Sequence, residues 1–312
     1  MKTIRRLAYA TLALAYLQIV FGAIVRITGS GFGCGDHWPD CYGSFTPIHR
    51  GFALLIEISH RYGAAALSTA VIALVLMAVF NRNEAGVGGP GGVLRSSVLA
   101  AVLVLLAALV GAATVKLGLN ALIVVSHLAI AMSLLAVLSV TVLRTGGLGA
   151  RADMSGATPR TWRAAVIAIV LAAFTLILGA LTANLPDAAV ACGGFPWCRW
   201  VQSTGTGLVV QIAHRVVAFL LFGHLWGVAA ALPRRGEPRA VVLAARFAFG
   251  AAILQVLIAA AMVEMQLPTV LRSLHQAIGT MVWLSIWVFA GLARIASPAA
   301  ATEKRALATA TV

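Results

Sequence analysis

LIEISHRYGAAALSTAVIALVLMAVF (55–80) and GLVVQIAHRVVAFLLFGHLWGVAAAL (207–232) decide the fold of this 312-residue chain. Each is an apolar run longer than the roughly 20 residues a helix needs to cross a bilayer. Each also carries a His-Arg dipeptide near its start, at 60–61 and 214–215. Ionisable side chains are costly inside a membrane and are functional candidates by default. The same costly pair at the same place in two runs marks a membrane protein made of two copies of one unit.

Six more runs of this kind frame these two, at roughly 7–25, 96–114, 120–143, 163–182, 241–263 and 269–293. The chain is 61% hydrophobic and 10% charged, where a soluble chain carries about a quarter charged residues. Its net charge of +14 does not imply nucleic acid, because Lys and Arg fall in short segments between apolar runs and form no basic face. On one side lie sixteen basic residues: Lys2, Arg5 and Arg6 at the N-terminus, Arg82 and Arg95 of the Gly-rich loop 81–95, Arg144, Arg151, Arg160 and Arg163 in and beside the polar linker 144–162, Arg234, Arg235, Arg239 and Arg246, and Arg294, Lys304 and Arg305 towards the C-terminus. The opposite loops hold five, Arg26, Arg50, Lys116, Arg199 and Arg272. The positive-inside rule then puts both termini in the cytoplasm and all four cysteines outside. The first run follows Met1-Lys2-Thr3-Ile4-Arg5-Arg6, is long and lacks a small-residue cleavage site, so it reads as a retained span. The tail 295–312 is expected to be disordered.

The repeat extends beyond the His-Arg pairs. FGAIVR (21–26) matches LGALTA (178–183), GCGDHWPDC (33–41) matches ACGGFPWC (191–198), and SHLAIA (126–131) matches LHQAIG (274–279). With four spans per copy, both copies enter the membrane in the same sense, as a parallel repeat. The expected fold is therefore an all-α polytopic membrane protein. Its eight transmembrane helices form two tandem pseudo-symmetric four-helix bundles, residues 1–150 and 151–312.

Four histidines, His60, His127, His214 and His275, lie on the even-numbered spans, each five to seven residues from the outer end. At 1.5 Å per residue they share a depth of roughly 10 Å below the outer surface. Two imidazoles facing each other across a four-helix bundle are what bis-histidine haem ligation needs, so His60 pairs with His127 and His214 with His275. A packing role accounts poorly for four such residues at one level. Arg61 and Arg215 each follow a ligand and suit haem propionates; a snorkelling interfacial Arg is the alternative, and recurrence favours propionates. His37, His49 and His224 are not expected to ligate.

Glu57 projects from the same helix face as His60, one turn outward, and the second copy has Gln211 there. A carboxylate can move a proton or stabilise developing positive charge, and an amide can do neither well. The first copy thus reads as the reacting site and the second as an electron-transfer haem, unless Glu57 is an interfacial residue facing water. Glu264 reads as such a surface residue. Cys34 with Cys41 and Cys192 with Cys198 are expected to form disulfides in an oxidising outer compartment. No CxxCH is present for covalent haem attachment, and no four converging ligands suggest zinc. Cys192–Cys198 reads as a structural staple; for Cys34–Cys41 a staple and a redox-active pair both stand.

GAIVRITGSGFGCGDHWPDC (22–41), EISHR (57–61), HLAIA (127–131), LGALTANLPDAAVACGGFPWC (178–198), QIAHR (211–215) and LHQAIG (274–279) together resemble the haem A synthase family. One departure is Gly35 where the family commonly has Pro after the first Cys; His37 and Asp40 also stand in that loop. The resemblance implies oxidation of a haem O methyl group to a formyl group by two hydroxylations, giving haem A for a terminal oxidase. Haem O would bind between His60 and His127, and haem b between His214 and His275. Glu57 would handle the proton. A haem O synthase supplying the substrate and a homo-oligomer would be partners, and a bacterial plasma membrane the location. The rival is a dihaem b-type, quinol-linked electron carrier, which needs the four histidines but not a carboxylate in one half only. A transporter with parallel repeats would place its polar groups nearer the membrane midplane.

Overall fold

A computed structural model describes residues 1–45, 51–151 and 154–297. His49, Arg50 and the tail beyond residue 297 lie outside the described residues. Every expected span is a helix: α1 Lys2–Ile27, α2 Phe52–Phe80, α3 Val93–Lys116, α4 Ala121–Arg144, α5 Pro159–Asn184, α6 Thr206–Arg234, α7 Arg239–Glu264 and α8 Thr269–Ile295. At 24 to 29 residues each, they extend about 36–44 Å at 1.5 Å per residue. That exceeds a hydrocarbon core of about 30 Å, so their ends reach the headgroups or the helices tilt. The protein is an all-α, multi-pass membrane protein.

The surface confirms the solvent. Leu99, Val102, Leu105, Leu106 and Leu109 form a stripe along α3 and are all exposed, which water would penalise and lipid does not. Helix ends are closed locally. The Asn120 side chain accepts from the Leu122 amide to start α4. Thr158 caps α5 ahead of Pro159, whose missing N–H costs nothing at the first helical position.

In the first half, α1 packs on α2 and α4, and α3 on α2 and α4; α5 to α8 close the same ring in the second. The two rings meet through α1, α4, α5 and α8, with α8 touching α1, α4, α5 and α7. One apolar cluster crosses this seam, joining Ile4, Leu12, Leu135 and Leu138 to Ala168, Leu225 and Ile286. Polar stitches accompany it. Trp283 Nε1 donates to the Met132 carbonyl at 2.9 Å, and Tyr16 Oη to the Ala277 carbonyl at 3.0 Å. At one end of the molecule the N-terminal ammonium meets Glu84 at 3.0 Å, and the Ala157 amide donates to the Ala296 carbonyl at 3.0 Å. At the other end lie the two cysteine loops. The second contains a two-stranded antiparallel ribbon, β1 Cys192–Gly193 with β2 Trp200–Val201.

Candidate functional site

Each of the four histidines leans on the helix that precedes its own. His60 lies against Gly22 of α1 so closely that a Cβ there would come within 2.9 Å of the ring, and His214 lies against Gly179 of α5 at 2.8 Å. Gly111 of α3 stands at 3.0 Å from His127 by the same measure. A side chain at these positions would force the imidazole to shift. One turn before each small residue sits a group facing the ring nitrogens. The Gln18 amide nitrogen is 2.9 Å from His60 Nδ1, and the Thr175 carbonyl accepts from His214 Nδ1 at 3.0 Å. The Gln255 amide nitrogen is 3.0 Å from His275 Nδ1. His127 Nδ1 is buried with the Ala107 carbonyl close by but without a hydrogen bond of normal geometry. α1 and α5 thus supply a slot and an orienting group four residues apart, spaced so that both face the same neighbour, whereas α3 supplies the slot and α7 the orienting group.

His60 is within electrostatic reach of His127, and His275 of His214. Around the second pair opens a cavity of about 280 Å³, lined by His214, His275, Gln211, Gln255, Phe195 and Trp283. The Oε1 atoms of Gln211 and Gln255 are buried there without a hydrogen-bond partner among the described residues. Among those residues no three His, Cys, Asp or Glu side chains converge. Two neighbouring imidazoles and no third protein donor suit a metal that brings its other ligands with it, as a porphyrin does.

Above the histidines both halves hold their cysteine loops with the same pair of side chains. Arg61 donates from Nη1 to the Asp40 carbonyl at 2.8 Å and from Nη2 to the His37 carbonyl at 2.8 Å. Arg215 donates from Nη1 to the Gly194 carbonyl at 2.7 Å and from Nη2 to the Cys192 carbonyl at 2.8 Å. Both guanidinium groups therefore grip loop backbone, a use that the spacing of the His-Arg pairs does not reveal. Glu57 is buried at 4% exposure. Its Oε2 accepts from the Cys34 amide at 2.8 Å, and Oε1 pairs with Arg61 Nη2 at 2.5 Å. Glu57 therefore does not face water. Gln211 makes the mirrored contact, its amide donating to the Ala189 carbonyl at 3.0 Å and the Cys192 carbonyl at 3.4 Å.

Cys34 is bonded to Cys41 and Cys192 to Cys198. Cys34 and Cys41 are fully buried against Leu54 and Ile58, whereas Cys198 is exposed. Gly33 permits this seating, since a Cβ there would lie 2.6 Å from the Ala53 carbonyl at the start of α2. Glu264, read from sequence as a surface residue, is half-exposed but ties the second loop to α7 through the Phe195 amide and Arg199. His37 stacks on Tyr42 and His224 bonds the Ala164 carbonyl at 2.8 Å; neither joins the four. Sequence reading overlooked Gln18 and Gln255, although a polar amide within an apolar span was the available signal. Arg26 and Arg272 line the cavity of the second half, where sequence counting had made them topology-setting loop charges.

Comparison with known proteins adds an independent line. A family model described as cytochrome oxidase assembly protein (COX15-CtaA) matches residues 5–287. A haem A synthase of Bacillus licheniformis is 31% identical over 235 residues, covering 74% of this chain and 75% of the relative. One from Shouchella clausii is 30% identical over 224 residues, covering 70% and 73%. A third, from Alkalihalophilus pseudofirmus, is 30% identical over 221 residues, covering 67% and 71%.

Proposed function

The chain belongs to the haem A synthase family of cytochrome oxidase assembly proteins, and we propose that it converts haem O to haem A in a bacterial plasma membrane. Membership of that family makes it an oxidoreductase of haem A biosynthesis, linked to terminal oxidase assembly. The substrate haem O binds in the first half between His60 and His127. Its methyl carbon is hydroxylated twice, each a two-electron oxidation that consumes an external oxidant, and the resulting geminal diol loses water to leave the formyl group. In the second half His214 and His275 would hold haem b, which would supply electron transfer. The cysteine loops face the extracytoplasmic side and both termini the cytoplasm, a reading supported by the distribution of basic residues.

The single observation behind this division of labour is that the two sites share their imidazoles but not their carboxylate. Glu57 lies on the face of α2 that carries His60, and its place in α6 is taken by Gln211. Paired to Arg61, Glu57 is the side chain placed to handle the proton released near the substrate. Arg61 and Arg215 hold the loops over the two sites and add positive charge at the edge where haem propionates lie. Gln18, the Thr175 carbonyl and Gln255 fix the ring planes of His60, His214 and His275, the orienting role that groups behind metal-ligating histidines perform. A haem O synthase hands over the substrate, and copies of the chain associate as oligomers within the lipid.

Co-expression with a haem O source, followed by chromatography of the extracted haems, tests the proposal. Haem A is the expected product of the unaltered chain. Glu57→Gln should abolish it while haem O stays bound, and His214→Ala should remove the haem b spectrum. Haem b alone in every preparation would instead favour a dihaem electron carrier.

A further inference from the structure

The cavity of the second half is lined by three guanidinium groups, Arg26, Arg215 and Arg272, and by no carboxylate among the described residues. Arg215 is bound to the cysteine loop. Arg26 and Arg272 are otherwise placed. They lie half-buried at the cavity wall, near enough to feel each other's charge, and neither has a carboxylate partner among the described residues. Two like charges held together in a partly dry wall repel each other unless an anion lies between them. Arg26 comes from α1, in the other half. It reaches across the seam to donate from Nη1 to the Ala183 carbonyl at 3.0 Å, and Ala183 is its own counterpart in the repeat. Arg272 lies three residues before His275 on α8, and its counterpart in the first half is Val124. The pair of cations therefore has no equivalent at the first site.

We infer that Arg26 and Arg272 form a clamp for the two propionates of the haem in the second half, with the first half supplying one of its jaws. The inference rests on the reading that haem b occupies that half. The asymmetry matches what the two sites must do. A resident cofactor profits from a dianion clamp, whereas a substrate that must leave as product is better held without one. The second site is, by the same token, incomplete without α1 of the first.

The test uses the full chain, stripped of haem and titrated in detergent with protohaem or with protohaem dimethyl ester, which has no propionate charge. Unaltered protein should bind the ester roughly ten- to a hundredfold more weakly than the free acid, as expected for the loss of charge-assisted pairing to Arg. The double variant Arg26→Gln, Arg272→Gln should lose most of this discrimination and should show a lowered midpoint potential, since removing nearby cations favours the oxidised iron. Arg26→Lys with Arg272→Lys should keep the discrimination. If the double Gln variant does not fold, each single variant should lose part of the discrimination. Equal binding of acid and ester by the unaltered chain, or undiminished discrimination in the Gln variants, would overturn the clamp. If protohaem binding does not depend on His214 and His275, the failure lies instead with the assignment of haem to the second half.

Discussion

Gly179 carries more of the site than its size suggests. Because a Cβ there would come within 2.8 Å of His214, Gly179→Ala must push the imidazole off its present line or displace α5. Overpacking of this kind costs about 1–3 kcal/mol, which corresponds to a five- to hundredfold loss of haem b affinity; the Soret band of purified protein reports it. Gly22→Ala should act in the same way on substrate binding in the first half and leave haem b in place. Gln255→Leu removes the group facing His275 Nδ1. It should retain haem but broaden the low-spin signals in electron paramagnetic resonance as the ring plane loosens. The four histidines were legible in the sequence because an imidazole in an apolar run is conspicuous. The glycines facing them were not. A Gly in a membrane helix has many ordinary uses, and only the neighbouring helix reveals which ring fills its slot.

At the scale of elements, the spans were legible to within a few residues, since the length and apolarity demanded by a bilayer leave little freedom. The loops were legible only as cysteine pairs. Their seating depends on Arg61, Arg215, Glu57 and Glu264, whose partners are mostly backbone atoms 20 or more residues away, and backbone has no sequence signature. The difference in burial between the loops has a chemical outcome. With Cys198 exposed and Cys34 and Cys41 at 0% exposure, a water-soluble phosphine should open Cys192–Cys198 first. Alkylation and peptide mapping over a reductant series would show the order, and simultaneous opening would contradict it. The start of α5 offers a second check. Glu237, 6% exposed, accepts from the Thr158 amide at 3.2 Å and from its hydroxyl at 2.7 Å, and also from the Thr161 hydroxyl at 2.5 Å. Glu237→Ala leaves these donors unpaired and should cost about 1–3 kcal/mol, seen as a lower melting temperature in detergent with the haem spectrum unchanged.

The whole molecule is a duplicated chain whose copies no longer stand apart. The repeat was readable from paired motifs, but the seam was not, because Trp283, Met132, Tyr16 and Ala277 belong to no shared pattern. Since one apolar cluster spans both rings, the halves should unfold together. A protease site inserted between Ser155 and Gly156 and cleaved after purification should leave two fragments that co-elute and melt in one transition. Separate elution would mean that the seam contributes little. The exposed leucines of α3 set the opposite boundary: that face belongs to lipid, and it should be labelled by an acyl-chain photoprobe.

The leaning of each histidine on the helix just before it has a consequence for biogenesis. Gln18 and Gly22 on α1 position His60 on α2, and Gly111 on α3 faces His127 on α4, so each adjacent pair of spans sets its own ligand. As the ribosome delivers the chain, each newly inserted pair brings one oriented imidazole into the bilayer, and docking a second pair brings together the two imidazoles proposed to hold the haem. On the proposed haem assignment, the first pair of ligands is complete once α4 has inserted, before the spans of the second half have entered the bilayer. Prosthetic-group capture by this protein can therefore start on a nascent chain.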